Sequence, residues 1–196
     1  MEQYDESIME KYINHPKCIA VGECGLDYYR LPEDEKEKKQ NIAKQKEVFI
    51  SQIEFAKKVK KPLIVHIREA SDDSREILID YNAKEVGGVL HCYNASEHLL
   101  LLSEHNFYFG IGGVLTFKNA KKLVEVLPKI PQDKLLVETD GPYLTPHPFR
   151  GKRNEPAYTN YVVDKISDLL ELSKEEVEKI TTNNTITLFK QFSTII

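Results

Sequence analysis

The sequence lacks any segment that could cross a membrane, because no apolar run approaches the roughly 20 residues that a transmembrane helix needs. Its first residues, Met1–Glu6, contain neither a basic n-region nor an apolar h-region, so we expect no secretory signal and a cytoplasmic location. Cysteine is scarce as well. Cys18, Cys24 and Cys92 are odd in number and form no C-x-x-C pair, which argues against a disulfide framework and favours a reducing compartment.

Positive charge is not in excess either. The chain has 27 Lys and Arg residues against 31 Asp and Glu residues, which gives a net charge of −4. Net charge therefore does not draw the protein to nucleic acid, and any phosphate must be bound locally, by a basic loop or a metal ion. The 196 residues are 41% hydrophobic, as in ordinary globular chains, and their number predicts one domain over 1–196.

The chain alternates between strand and helix patterns. Short apolar runs predict strands at 17–23, 63–66, 89–91, 107–111 and 135–138, and helical patterns cover 4–14, 32–61, 71–81, 96–105, 116–127, 158–170 and 174–192. Continuously apolar strands are typical of a parallel sheet buried on both faces, which predicts an α/β fold. An open doubly wound sheet and an arc of a (β/α) barrel both fit. A whole barrel takes about 250 residues, so the second would be an incomplete TIM-type barrel, with about five parallel strands and surrounding helices.

Side chains that can bind a metal ion stand where these strands end. Glu23, His66 and His91 close the first three apolar runs, and Asp140 follows the fifth. Active sites of parallel α/β folds lie at the carboxyl ends of the strands. Adjacent strands are about 4.8 Å apart, so the first three side chains can converge on one ion, for which Glu oxygen and His nitrogen are suitable ligands. Asp140 can reach the same site across a curved sheet, as a ligand or a general base.

Each of these residues also has a structural interpretation of its own. A lone histidine at the end of a strand often packs through a hydrogen bond, and Asp140 opens a good turn sequence. Their joint position on one rim is what favours a shared metal site. Cys24 and Cys92 each follow a proposed ligand, and strand alternation predicts that both point away from the site and pack in the core.

Candidate substrate contacts follow the same strand ends. Arg150 and Arg153 lie in a basic loop after the fifth strand, which is either a solvated loop or an anion clamp beside the metal rim. Arg68, two residues past His66, either binds phosphate or forms a structural salt bridge. Tyr143 either stacks on a base or sugar or packs at the rim.

Five segments, taken in order, are similar to the TatD-related family of metal-dependent deoxyribonucleases and hydrolases. They are VGECGLDY at 21–28, PLIVHIREA at 62–70, GVLHCY at 88–93, LLVETDGPYL at 135–144 and RGKRNEP at 150–156. The similarity extends from about Lys17 to the C-terminus. It implies a (β/α) barrel that cleaves phosphodiester bonds at DNA ends by metal-activated water, with single-stranded DNA or 3′ ends as the substrate.

The resemblance also implies a role for each candidate residue. Glu23 would be the carboxylate shared by two divalent ions, His66 and His91 would hold one ion, and Asp140 would hold the other. Asp140 and Glu23 would thus be the catalytic carboxylates, with Asp140 orienting or deprotonating the attacking water. Arg68 and the 150–154 loop match positions near the substrate. The metal can be Mg, Mn or Zn, because the ligand types suit all three.

One family feature is missing. Members begin with a strand that carries a His-x-His pair and continue with two further strand–helix units, whereas this sequence contains no His-x-His. The resemblance therefore implies a single hydrolase domain truncated at its N-terminus by roughly three units, with two metal ligands absent. Glu23, His66 and His91 can still form a one-metal site. Two other hypotheses stay open: a metal-dependent amide or ester hydrolase, for example of aminoacyl substrates, and a catalytically inactive homologue that serves as a binding module.

Overall fold

The structure, a computed structural model, describes residues 4–190. Its strands and α-helices follow one another as α1 (Glu6–Ile13), β1 (Val21–Asp27), α2 (Glu35–Val59), β2 (Leu63–Arg68), α3 (Ser71–Asp80), β3 (Gly88–Leu90), β4 (Phe107–Ile111), α4 (Lys121–Val126), β5 (Leu135–Val137), α5 (Thr159–Leu170) and α6 (Lys174–Leu188). Short 3-10 helices connect several of them. None of the helices within residues 4–190 has both the length and the apolar character that a membrane span requires.

The order of the strands decides between the two predicted architectures. The sheet runs β1-β2-β3-β4-β5, and every neighbouring pair is parallel. A doubly wound sheet reverses its strand order at a switch point, whereas each strand of a (β/α) barrel lies beside the next strand in the chain. The unbroken order confirms an arc of a TIM-type barrel. Within residues 4–190, β1 and β5 do not pair with each other, so the sheet is open.

Helices cover one face of the sheet and form the main core with it. The Asp34 carboxylate caps α2 by accepting the backbone N–H groups of Lys36 and Glu37 at 3.0 and 2.9 Å. The apolar side of this helix then buries Phe49 and Ile53 completely, as the 3.6-residue periodicity predicts. The buried strand residues of this core alternate along the chain, so the residues between them face the other side of the sheet.

The opposite face of the sheet carries a smaller apolar cluster. Val89, Tyr108 and Leu136 are buried there, and Leu188 and Phe189 at the end of α6 pack against them. These positions lie on the same face as the strand-end residues, which continue it toward the carboxyl edge of the sheet. The end of the last α-helix therefore supports the side of the sheet on which the candidate site stands.

Several element boundaries differ from the predictions. β1 covers Val21–Asp27 instead of 17–23, because it continues through a bulge and past Gly25, whose φ of +138° suits glycine. In place of the helix predicted at 116–127, the chain forms a 3-10 helix, Gly113–Thr116, and the short α4. The segment predicted as a helix over 96–105 is a 3-10 helix, Glu97–His105. The last predicted helix reaches 192, and 191–192 lie outside the described residues.

Candidate functional site

The register of the strands places two histidines side by side with a glycine on either side. Gly25 on β1 is the partner of His66 on β2. The residues just before His66, His91 and Gly110 are register partners on β2, β3 and β4. His66 therefore lies beside His91, and His91 lies beside Gly110. Residues in one row of a parallel sheet point to the same face. The two imidazoles therefore lie between two positions without side chains, and carboxylates reach into that space.

A bulge in β1 sets the position of two of these carboxylates. Two residues of β1 lie opposite one residue of β2 at this point, and such bulges re-aim side chains. From the bulge onward, the two-residue alternation puts Glu23, Gly25 and Asp27 on one face, with His66 opposite the middle one. His66 Nδ1 is consequently 3.0 Å from Glu23 Oε1, and His66 Nε2 is 3.3 Å from Asp27 Oδ2. Gln45 of α2 fixes the backbone of Asp27 through hydrogen bonds of 2.8 and 2.9 Å.

His91 is held between two carboxylates that follow β5. Its Nδ1 lies 2.9 Å from Glu138 Oε2, and its Nε2 lies 3.3 Å from Asp140 Oδ1. The hydrogen bond with Glu138 is the main cause that raises the pKa of His91 to about 9, since burial acts in the opposite direction and the charges of Glu138, Glu23 and Asp140 add to the rise. The imidazole is thus positively charged at neutral pH in the metal-free protein.

All four predicted metal ligands line one cavity of about 390 Å³. Its wall consists of Glu23, His66, Ile67, Arg68, His91, Cys92, Asn94, Asp140, Tyr143 and Leu144. The imidazoles of His66 and His91 therefore face a common space, as the strand-end argument predicts. Arg68 and Tyr143, two of the four predicted substrate contacts, lie in the same wall.

Arg68 and Tyr143, the two candidate substrate contacts in the wall, differ in how far their side chains are available to a ligand. The guanidinium of Arg68 stacks 3.6 Å above the ring of Tyr29, which restricts where its charge can go. Tyr143 has a fixed backbone, because its N–H donates to Asp140 O at 2.7 Å and its carbonyl accepts from the buried side chain of Asn154 at 2.6 Å. The residue as a whole is nevertheless 71% exposed. An exposed ring on an anchored backbone is available for a ligand.

The structure does not bring the basic loop to the cavity. The guanidinium of Arg150 stacks on Phe117 at 3.8 Å, and Arg153 is exposed to solvent. Neither residue is in the cavity wall. The loop is tied to the site at Asn154, whose side chain donates to the carbonyl of Tyr143. An anion clamp formed by the two arginines beside the rim is therefore not formed in this structure.

The prediction that both cysteines point away from the site holds for one of them. Cys24 is buried in the core, but Cys92 lines the cavity. Regular alternation ends with β3 at Leu90, and Cys92 has a φ of +44°, so the strand argument no longer applies to it. Burial, reinforced by the charges of Glu138 and other acidic neighbours, raises the pKa of the Cys92 thiol to about 12. The thiol is therefore neutral at pH 7 in the metal-free protein.

The profile of a family described as TatD related DNase matches residues 2–190. The chain belongs to this family. A Bacillus subtilis relative named uncharacterized metal-dependent hydrolase YabD is 46% identical over 193 residues, which cover 97% of this chain and 72% of YabD. The Escherichia coli K12 relative YcfH, named in the same way, is 37% identical over 189 residues, or 96% of this chain and 69% of YcfH.

A solved TatD structure shows the same fold. The crystal structure of YJJV, a TatD homologue from Escherichia coli K12, superposes with a TM-score of 0.82 at 27% sequence identity. The superposition covers 94% of this chain and 68% of the YJJV chain. The arc of five strands is thus the TatD arrangement, and the chain spans about seven tenths of the length of YabD, YcfH and YJJV.

Two carboxylates that contact the histidines were not among the predicted site residues of this TatD chain. Glu138 directly ends the fifth apolar run, so the strand-end argument applies to it as well as to Asp140. Asp27 gave no signal, because β1 was expected to end at Glu23. The contact of each carboxylate with an imidazole depends on the register between strands, which the sequence does not encode locally.

The donor chemistry of the cavity suits a divalent cation. Two imidazoles and two carboxylates in its wall form the mixed nitrogen and oxygen set that Zn and Mn accept. Their arrangement is pairwise: within residues 4–190, no three His, Cys, Asp or Glu side chains form a single group that could hold a metal ion. Coordination by Glu23, His66, His91 and Asp140 together therefore stays a prediction.

Proposed function

We propose that this TatD protein is a divalent-metal-dependent phosphodiesterase that hydrolyses DNA at its ends. The observation that carries the proposal is the meeting of Glu23, His66, His91 and Asp140 in the wall of one cavity. They lie up to 117 residues apart in the chain, and a purely structural role for each does not account for their convergence.

The cation would be held by these four residues. His66 and Glu23 offer donors from β2 and β1, and His91 and Asp140 offer donors from the ends of β3 and β5. A bound divalent cation supplies a Lewis acid for a phosphoryl oxygen and makes water acidic enough to attack near neutral pH. The Asp140 carboxylate, 38% exposed, would serve as the general base that accepts a proton from the attacking water.

Two further wall residues support a nucleic-acid substrate. Arg68 puts a permanent positive charge beside the carboxylates in a protein of net charge −4, and a phosphodiester needs such a local charge. The exposed ring of Tyr143 offers a face on which a base can stack. A cavity of about 390 Å³ accommodates a terminal nucleotide rather than a duplex, which favours cleavage at an end.

The test is hydrolysis by the purified 196-residue chain with added Mg²⁺, Mn²⁺ or Zn²⁺. A 3′-labelled single-stranded oligonucleotide is compared with an acyl ester and an aminoacyl substrate. We expect metal-stimulated nucleotide release that falls by about 10²-fold or more in Asp140→Asn, as for the loss of a general base, and that also falls in Glu23→Ala, which removes a proposed metal ligand. His98→Ala is the control, since His98 is 66% exposed and contacts Asp72 of α3.

The other outcomes select the other hypotheses. Metal-stimulated cleavage of the ester or aminoacyl substrate without nucleotide release would replace the nuclease with an amide or ester hydrolase. If no substrate is hydrolysed and the metal content is unchanged in Glu23→Ala and His66→Ala, the result would support the hypothesis of a catalytically inactive binding module.

A further inference from the structure

A carboxylate beside His91 lies outside the cavity wall. Glu138 Oε2 is 2.9 Å from His91 Nδ1, and Glu138 Oε1 accepts the backbone N–H of Cys92 at 2.6 Å. Each oxygen of this carboxylate is thus engaged by a donor at the end of β3. The side chain is 16% exposed and is not among the residues that line the cavity, whereas His91 and Asp140 are.

The neighbouring strand leaves room for this carboxylate. The Glu138 N–H donates to Ile111 O at 3.1 Å, which fixes the backbone of Glu138 against β4. A Cβ at Gly110 would lie 2.2 Å from Glu138 Oε2 and 2.7 Å from its Cδ, and atoms cannot approach so closely. A residue with a side chain at position 110 would therefore displace the carboxylate from His91. β3, β4 and β5 together hold Glu138 in one place.

We propose that Glu138 is a positioning residue that fixes the ring and the proton of His91, so that His91 Nε2 is the atom presented to the cation. The proposal rests on the proposed function. A cation binds only the neutral imidazole, and a neutral imidazole that donates its Nδ1–H to a carboxylate keeps its free lone pair on Nε2. Nε2 is the nitrogen that lies 3.3 Å from Asp140 Oδ1, on the cavity side.

This arrangement has a measurable consequence for metal affinity. Histidines that bind metals commonly donate their second nitrogen to a carboxylate, and removal of that partner weakens metal binding by about 10- to 100-fold. Asp27 contacts His66 at the longer distance of 3.3 Å and is 43% exposed. The inference is therefore drawn for Glu138, whose contact is shorter and more buried.

The experiment measures Zn²⁺ binding to the whole 196-residue chain by titration calorimetry, together with the histidine ¹⁵N spectrum of the Zn²⁺-loaded protein. We expect Glu138→Ala to lower the affinity about 10- to 100-fold without a change in stoichiometry, and to abolish the slowly exchanging Nδ1–H signal of His91. The affinity of Glu138→Gln should fall between those of the wild type and Glu138→Ala, because an NH₂ group replaces one of the two oxygens that accept from His91 and Cys92. Gly110→Ala reproduces the loss although every proposed ligand is retained. Glu125→Ala, which removes an exposed carboxylate from α4, changes nothing.

Three results would overturn the proposal. Wild-type affinity in Glu138→Ala would remove the positioning role. A fall in stoichiometry with His91 Nε2 still bound to Zn²⁺ would make Glu138 a ligand itself. A lower unfolding temperature of the metal-free variants, with an unchanged His91 spectrum, would make its role structural. The proposed function fails separately: if Zn²⁺ binding changes as expected but no nucleotide is released, only the phosphodiesterase assignment falls, whereas a wild-type chain that binds no Zn²⁺ refutes both.

Discussion

His66 and His91 have similar partners but very different surroundings. The side chain of His91 and its partner Glu138 are each 16% exposed, whereas those of His66 and Glu23 are 35% and 51% exposed. Charge–charge attraction is stronger where water is excluded. We therefore regard the His91 pair as the more tightly held half of the site and the His66 pair as the more solvent-exposed half.

The two histidines should differ in their effect on the stability of the metal-free protein. We expect His91→Ala to lower the free energy of unfolding by roughly 1–3 kcal/mol, because it leaves a mostly buried carboxylate without its main partner. His66→Ala should change it by about 1 kcal/mol or less, since exposed ion pairs contribute little. Denaturant unfolding in excess chelator measures both variants. A larger loss in His66→Ala than in His91→Ala would contradict this division.

The exposed ring of Tyr143 allows a direct test of base stacking. The sequence contains no tryptophan, so Tyr143→Trp introduces a single fluorescent reporter at the rim of the cavity. We expect a single-stranded oligonucleotide to quench this reporter, because a base stacks on its ring. The same oligonucleotide with an abasic 3′ end should quench it less.

The control for this reporter lies elsewhere on the surface. Tyr12 of α1 is 56% exposed and is not in the cavity wall, so Tyr12→Trp should not respond to the oligonucleotide. Equal quenching by the intact and abasic oligonucleotides would refute stacking at Tyr143 without bearing on hydrolysis.

The residues that the sequence could identify are those that interrupt an apolar run. His66, His91 and Asp140 stand beside strongly apolar segments, so each was recognisable from its own surroundings. Glu138 and Asp27 could not be identified in this way, because each is important through its contact with a histidine that another strand contributes. The charge of Arg150 makes it a candidate for phosphate binding, but in the structure its guanidinium stacks on Phe117. The two residues are 33 positions apart, so no local sequence pattern indicates this contact.

Among the elements, α6 is tied to the strand that carries the last two acidic residues of the site. Asn184 is 8% exposed, and its Nδ2 donates to Gln132 O and Leu135 O, both at 2.8 Å. Leu135 begins β5, which ends just before Glu138. One buried amide therefore links the last helix to the start of this strand.

Removal of that amide should destabilise the protein. We expect Asn184→Ala to lower the free energy of unfolding by roughly 1–3 kcal/mol, because two carbonyl groups lose a buried donor. Asn183→Ala is the matched control, since Asn183 is the exposed neighbour on the same helix and should change stability by about 0.5 kcal/mol or less. Thermal unfolding of the two variants compares them directly. Equal effects would show that helix propensity, and not the link to β5, determines the loss.

Element types were easier to predict than element ends. The five parallel strands and the long α2 follow from apolar runs and from a 3.6-residue repeat, both of which are local. The extension of β1 to Asp27 depends on a bulge against β2, so the sequence around Gly22 and Gly25 resembles a turn. That one difference moves Glu23 from the end of a strand to its middle and brings Asp27 into the site.

In the molecule as a whole, the order of the strands explains why residues from distant parts of the chain line one cavity. In a sheet that runs in chain order, consecutive strands bring their carboxyl ends to one rim, so β1, β2, β3 and β5 all contribute to the same cavity. The sequence left this order open, because a doubly wound sheet has the same alternation of strands and helices. Within residues 4–190, β1 and β5 each pair on one side only, and unpaired strand edges are places where further chain can add.

Because the cavity is formed by strands from both halves of the arc, a bound cation should stabilise the whole fold. A ligand at 100 times its dissociation constant stabilises a protein by about 2.7 kcal/mol, and 1 kcal/mol raises the Tm of a domain of this size by about 2–4 °C. We therefore expect a saturating divalent cation to raise the Tm by roughly 5–11 °C in a thermal scan. His66→Ala and His91→Ala should abolish the rise, while His98→Ala keeps it, since that residue contacts Asp72 on the outer helices. A rise that persists in both His66→Ala and His91→Ala would place the ion outside the cavity and contradict the metal assignment from which the proposed chemistry follows.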